Sequence, residues 1–136
     1  MDRPLRGFLM ILLLFSVNVQ ATTARSPNPN FPSKTYVEID NHLPEKLTLH
    51  CKSKDDDLGV QELQPQTRWG FRFQPKLFVE TTLFYCTFAW FGSPVQTFDI
   101  YVERRDASRC KNCIWGVYPA GPCLYLDPPI CYSWNS

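Results

Sequence analysis

The sequence has few of the groups from which enzymes build an active site. Only two of its 136 residues are histidines, His42 and His50, and both lie next to loops or lysines, as surface histidines commonly do. The sequence contains neither the G-x-S-x-G turn that presents a serine nucleophile nor a glycine-rich phosphate loop. Because no set of nucleophile, base and metal ligands can be identified, we expect no enzymatic activity and no cofactor.

Long apolar runs are also missing, apart from one near the N-terminus. Two arginines precede an apolar run over residues 8–17, which is followed by Val19-Gln20-Ala21. The run is shorter than the roughly 20 residues that cross a bilayer, and this pattern is typical of a secretory signal peptide, although a signal anchor is the alternative. We expect cleavage after Ala21, then a Pro-rich flexible tail over residues 22–34. The mature protein should be secreted, extracellular and not embedded in a membrane.

Neither sign of charge dominates the chain. The sequence has 14 Lys and Arg against 13 Asp and Glu, for a formal net charge of +1. Proteins that bind nucleic acid need a basic face to replace the counterions of the phosphates. We therefore expect no nucleic-acid partner.

A sustained helical period is absent, and the 12 prolines would interrupt one. Apolar and polar residues instead alternate in short runs between turn residues, which is typical of strands. These runs are Tyr36–Asp40, Lys46–Lys52, Trp69–Phe73, Phe84–Trp90, Thr97–Glu103, Cys113–Val117, Leu124–Leu126 and Ile130–Tyr132, and residues 41–45 are predicted to form a hairpin loop. The pattern predicts an all-β fold over residues 35–136, a small antiparallel β-sandwich braced by disulfides, with a small barrel as the alternative.

Aromatic residues recur at every second position in two of these runs, Trp69–Phe73 and Phe84–Trp90. Such rows could form a platform for a carbohydrate or another ligand. A domain of this size has few other large side chains to bury, so we interpret the rows as core.

All six cysteines follow the predicted signal peptide: Cys51, Cys86, Cys110, Cys113, Cys123 and Cys131. An even number in a secreted chain predicts three disulfides. Zinc is the alternative, but Cys110 and Cys113 lack the second tight pair of a zinc ribbon. The sequence leaves the pairing open. Cys51 and Cys86 share the inward-facing parity of their strands, so we expect both to be buried and bridged either to the Cys110/Cys113 corner or to the C-terminal segment.

Two charged loops are the candidate binding sites. Asp55, Asp56 and Asp57 are consecutive, whereas an EF-hand calcium loop needs ligands at alternating positions, so the sequence favours a hydrated turn over a metal site. Charged loops on a rigid sheet either carry binding specificity or merely maintain solubility. The receptor-binding candidates are Lys54, Asp55, Asp56 and Asp57 in the first loop and Arg104, Arg105 and Arg109 in the second.

Four segments, considered together, resemble the plant self-incompatibility protein family, the S-protein homologues. They are HCKSKDDDLG (50–59), WGFRF (69–73), TLFYCTFAW (82–90) and CKNCIW (110–115), and their order and spacing match from about Val37 to Trp115. The recurring cysteines of the family map onto Cys51, Cys86, Cys110 and Cys113. Cys123 and Cys131 lie beyond this match, and Pro119-Ala120-Gly121-Pro122 departs from the acidic-glycine turn expected there.

The resemblance implies a small secreted plant protein with a β-sandwich fold and no enzymatic activity. The best-understood members are displayed by the stigma and recognised by a pollen membrane receptor. We therefore expect an extracellular ligand for a cell-surface receptor, in signalling of the self-incompatibility or pollen-rejection type. A secreted defence or inhibitor protein that acts on a microbial target is the alternative.

Overall fold

The computed structural model describes residues 34–75 and 81–135. The predicted signal peptide, and all of the predicted tail except Lys34, lie outside the described residues. The described part contains nine strands and one short helix: β1 (Thr35–Asn41), β2 (Leu47–Lys52), β3 (Asp57–Leu63), β4 (Arg68–Phe73), β5 (Leu83–Ala89), β6 (Gln96–Val102), α1 (Glu103–Asp106), β7 (Asn112–Tyr118), β8 (Gly121–Leu124) and β9 (Ile130–Cys131). No helix in this part is long and apolar enough to span a membrane.

The strands form two sheets, which confirms the predicted fold class. One sheet has five strands in the order β4-β1-β7-β8-β9, and the other has four in the order β3-β2-β5-β6. The paired strands run antiparallel, except that β1 and β7 are parallel. β3 was not predicted because only one of its seven residues is buried and its side chains follow no apolar alternation.

The segment between β1 and β2 is not the predicted hairpin, because β1 pairs with β4 and β7 whereas β2 pairs with β3 and β5. Asn41 is fully buried, and its side-chain amide donates hydrogen bonds to the carbonyls of Glu45 and Leu63, at 2.9 and 3.0 Å. Its Oδ1 accepts a hydrogen bond from the backbone N–H of Leu43. These contacts turn the chain from one sheet into the other.

The core lies between the two sheets. Its largest fully buried side chains include Trp115 and Ile39 from the five-stranded sheet and Phe88 from the four-stranded sheet. Phe84 lies 4.9 Å from Phe71 and 4.8 Å from Phe73, measured between ring centroids. Phe84 and Phe88 of the second aromatic row thus belong to the core, as predicted, whereas the row Trp69–Phe73 is partly buried and packs against it.

One inward-facing residue of β6 breaks the predicted alternation. Strict alternation along Thr97–Glu103 predicts that Tyr101 faces outward with Asp99, yet Tyr101 is fully buried. The pairing of β5 with β6 shifts register between Phe84 and Cys86. Such an irregularity re-aims side chains and interrupts the period of two.

The six cysteines form three disulfides, Cys51–Cys86, Cys110–Cys113 and Cys123–Cys131. Cys51 and Cys86 are buried as predicted. The expected bridge from these two cysteines to the Cys110/Cys113 corner or to the C-terminal segment is wrong. Cys51 faces Cys86 directly across the β2–β5 pair, so the two thiols are each other's nearest partners.

Candidate functional site

Both candidate loops lie at one end of the four-stranded sheet. The turn after β2 lies beside the start of β5, because Lys52 pairs with Tyr85. β6 ends at Val102, which pairs with Leu83 at the same end of β5, and α1 follows immediately. Residues separated by about 50 positions in the sequence are thereby brought to a single end of the molecule.

The first loop is a tight turn that leaves its charges in solvent. The N–H of Ser53 donates to the carbonyl of Asp56 at 2.8 Å, and the N–H of Asp56 donates to the hydroxyl of Ser53 at 3.1 Å. Lys54, Asp55 and Asp56 are exposed. The backbone is therefore fixed while the charged side chains face outward.

Asp57 has a different environment from the other two aspartates. Its Oδ1 lies 2.5 Å from Nε2 of His50 and accepts a hydrogen bond from the N–H of Gly59 at 2.9 Å. The hydrogen bond from His50, followed by that from Gly59, lowers the pKa of Asp57. Asp57 therefore ties β3 to β2, and His50 acts as its structural partner.

The second loop begins as helix α1, and its Asp106 is fully buried. The carboxylate of Asp106 accepts hydrogen bonds from Nε and Nη2 of Arg105, both at 2.8 Å. It also accepts one from the N–H of Val102 at 2.9 Å. Nη2 of Arg105 donates in addition to the carbonyl of Asp99 at 2.8 Å. The ion pair fastens α1 to the end of β6.

The guanidinium of Arg105 lies among three aromatic rings. Its Cζ is 5.2 Å from the centroid of Phe98, 5.3 Å from that of Trp115 and 5.2 Å from that of Tyr132. Only 20% of the Arg105 side chain is exposed, so it does not face solvent as the sequence suggested. Its position supports the fold.

The other two arginines of this loop are exposed. Nη1 of Arg109 donates to the Tyr132 hydroxyl at 2.8 Å, which directs that side chain toward the C-terminal segment. Arg104 lies on α1 and is exposed. The structure thus divides the seven candidates into exposed charges and charges that support the loops.

A groove of about 600 Å³ lies beside the first turn. Residues 53–56 contribute one side of it, and Arg72 of β4 contributes a positive charge from the other sheet. Leu83 and Tyr85, both partly exposed, add apolar surface from β5. The sequence does not predict this groove, because only the packing of the two sheets brings Arg72 to the turn.

The described residues offer no alternative site for metal chemistry. No group of three or more His, Cys, Asp or Glu side chains among them is arranged to hold a metal ion. The arrangement can bind a partner through charges and apolar contacts, and no reaction can be assigned to it.

Comparison with known proteins extends the resemblance beyond the sequence motifs. The family model described as Plant self-incompatibility protein S1 matches residues 36–134, a span that includes Cys123 and Cys131. S-protein homolog 3 of Arabidopsis thaliana is 45% identical over 116 residues, covering 78% of this chain and 76% of that protein. S-protein homolog 2 of the same plant is 36% identical, covering 99% of this chain and 98% of that protein. No solved structure matches significantly. The chain therefore belongs to the plant self-incompatibility protein S1 family.

Proposed function

We propose that this protein is a secreted, non-enzymatic ligand that binds a cell-surface receptor through the loops at one end of its sandwich. Its family is implicated in self-incompatibility recognition, and the S-protein homologues are generally non-enzymatic recognition proteins. Three disulfides in a small domain are typical of secreted proteins. The observation that carries the proposal is the placement of both charged loops at the same end of the four-stranded sheet, one of them beside a groove with apolar surface.

The geometry of this end suits recognition in three ways. The first turn is held by two internal hydrogen bonds and follows directly after the strand of the Cys51–Cys86 disulfide, so little conformational entropy is lost on binding. Its exposed charges can steer a partner of complementary charge. The groove beside it offers apolar surface that a partner side chain can bury.

The contact residues are a subset of the seven candidates. Lys54, Asp55, Asp56 and Arg104 are exposed and extend from the loops, so they can meet a receptor directly. Arg105 is engaged inside the domain, and Asp57 is engaged by His50. We assign these two residues to positioning the loops rather than to contact with the receptor.

Charge neutralisation of the exposed residues tests the proposal. The variant Asp55→Asn/Asp56→Asn/Arg104→Gln should bind plant plasma-membrane fractions at least tenfold more weakly than the wild type, mainly through slower and less salt-dependent association. The matched control, Glu45→Gln/Lys46→Gln, neutralises exposed charges at the opposite end of β2 and should bind like the wild type. Circular dichroism should show the same fold for all three proteins.

Two outcomes would contradict the proposal. Unchanged binding by the triple variant, with its fold intact, would move the recognition site away from these loops. If the wild type shows no saturable binding to plant membranes and inhibits microbial growth instead, the receptor-ligand function would be wrong and a defence function would replace it.

A further inference from the structure

The outer face of the five-stranded sheet carries two carboxyl groups side by side. Glu38 and Asp40 lie on the face of β1 opposite the buried side chains of Val37 and Ile39. Glu38 is only 8% exposed. Oδ1 of Asp40 is buried and has no hydrogen-bond partner among the described residues. Such burial of two neighbouring carboxylates is unfavourable when both are ionised.

Tyrosine rings produce this burial by lying over glycines of the neighbouring strands. The Tyr36 hydroxyl donates to Oε1 of Glu38 at 2.9 Å. A Cβ atom on Gly70 of β4 would lie 2.3 Å from the Tyr36 hydroxyl, and one on Gly116 of β7 would lie 2.2 Å from the Tyr125 hydroxyl. Only glycine leaves space for both rings against the sheet, on either side of β1.

Other charged and titratable groups also face the two carboxyls. Directly after β1, His42 stacks on Tyr118 with ring centroids 5.0 Å apart. From β4, Arg68 pairs in register with Asp40, and the Arg72 guanidinium lies 4.7 Å from the centroid of the Tyr36 ring. From β7 and the segment after β8, the hydroxyls of Tyr118 and Tyr125 are 2.9 Å apart.

We propose that the carboxyl of Asp40 donates a hydrogen bond to the carboxylate of Glu38 and that the two residues form a pH-sensitive clasp across the outer face of the five-stranded sheet. While Asp40 is protonated, this hydrogen bond and the Tyr36 contact are both kept. When Asp40 ionises, its negative charge is repelled by that of Glu38, and the attachment of the edge strand β4 to β1 weakens. We call the two residues the carboxyl clasp.

The electrostatics agree with this geometry. Burial first, then the hydrogen bond with Glu38 and its negative charge, raise the pKa of Asp40 from 3.8 to about 6, while Arg68 opposes the shift. A carboxyl whose pKa is higher in the folded than in the unfolded state makes the folded state bind more protons between the two values. The stability that the clasp contributes is therefore full below about pH 3.8, decreases as the pH rises above that value, and is lost above about pH 6. Asp57, whose pKa is lowered, acts in the opposite direction and only in stronger acid.

Urea unfolding of the full domain at pH 4.5 and pH 7.0 tests the clasp. Between these two pH values, pKa values of 3.8 and about 6 would give roughly a 25-fold change in the folding equilibrium, and solvent screening of the partly exposed Asp40 reduces our expectation to roughly fivefold in favour of pH 4.5. In the variant Glu38→Gln, the amide oxygen still accepts from Tyr36 and the amide N–H donates to Asp40 at every pH. This variant should lose the pH dependence and be at least as stable as the wild type at pH 7.0. The control variant Glu45→Gln changes an exposed glutamate and should keep the pH dependence of the wild type.

Hydrogen exchange locates the effect. After correction for the intrinsic pH dependence of exchange, amides of β1 and β4 should exchange faster at pH 7.0 than at pH 4.5 in the wild type, but not in Glu38→Gln. A wild-type stability that does not change with pH, or an equal pH dependence in Glu38→Gln, would overturn the proposal. So would a loss of stability in Glu38→Gln by the same factor at both pH values, because that result describes an ordinary structural contact.

Discussion

Neighbouring residues of the same chemical type have different tasks in this protein. Arg104 is exposed, whereas Arg105 lies against Phe98, Trp115 and Tyr132 and pairs with buried Asp106. In the sequence both arginines belong to one charged loop. The distinction could not be predicted because the three rings come from separate strands and segments and meet only in the folded molecule.

The buried ion pair gives a prediction at this scale. Replacing Asp106 by asparagine leaves the Arg105 guanidinium without a counter-charge in a largely buried site, and removal of one partner of such a pair typically costs several kcal/mol. We expect a loss of about 3 kcal/mol in the free energy of unfolding, measured with urea. Arg104→Gln is the matched control and should change it by about 0.5 kcal/mol or less. Equal effects of the two substitutions would contradict the internal role of the pair.

Strands were predictable where burial follows a period of two. In β7, Cys113, Trp115 and Val117 are all fully buried, as their alternation predicts. β3 was not predictable because it lies at an edge, pairs with β2 alone and buries only one of its seven residues. The partners of each strand were not predictable, because alternation specifies which face is buried but not which strand lies alongside. The Cys51–Cys86 pairing and the parallel β1–β7 pair both depend on that missing information.

The disulfides should contribute different amounts to the free energy of unfolding, because they close chain loops of different length. Cys51–Cys86 spans a separation of 35 residues and Cys110–Cys113 a separation of 3. On the chain-entropy account, the first should contribute about 4 kcal/mol and the second about 2 kcal/mol. Urea unfolding of Cys51→Ala/Cys86→Ala and Cys110→Ala/Cys113→Ala measures both. The ranking would be wrong if loss of the short-range bridge cost as much as loss of the long-range one.

At the scale of the whole molecule, the segment after β9 joins the two sheets. β9 belongs to the five-stranded sheet, and Tyr132 next to it contacts Phe98 of the other sheet at 5.6 Å. Three residues further on, the N–H of Asn135 donates to the carbonyl of Thr97 at the edge strand β6. The fold class could be predicted from composition and alternation. The contact of the C-terminal segment with both sheets could not, because a few aromatic residues after a proline-rich turn show no periodic pattern.

Trp134 also joins this C-terminal segment to the four-stranded sheet, which leads to a prediction for the stability of the whole domain. Its ring lies 5.1 Å from that of Phe88 and 5.7 Å from that of Trp90, and its Nε1 donates to the carbonyl of Pro119 at 3.0 Å. Since a core Trp→Ala change costs about 3–5 kcal/mol and Trp134 is only partly buried, Trp134→Ala should lower the free energy of unfolding by about 2–3 kcal/mol.

The control variant Phe91→Ala removes an aromatic ring that is 87% exposed and should change the free energy of unfolding by about 0.5 kcal/mol or less. Because the charged loops lie at the opposite end of the sandwich, Trp134→Ala should bind plant membranes like the wild type under conditions where it is folded. If its stability equalled that of Phe91→Ala, the segment after β9 would not hold the sheets together.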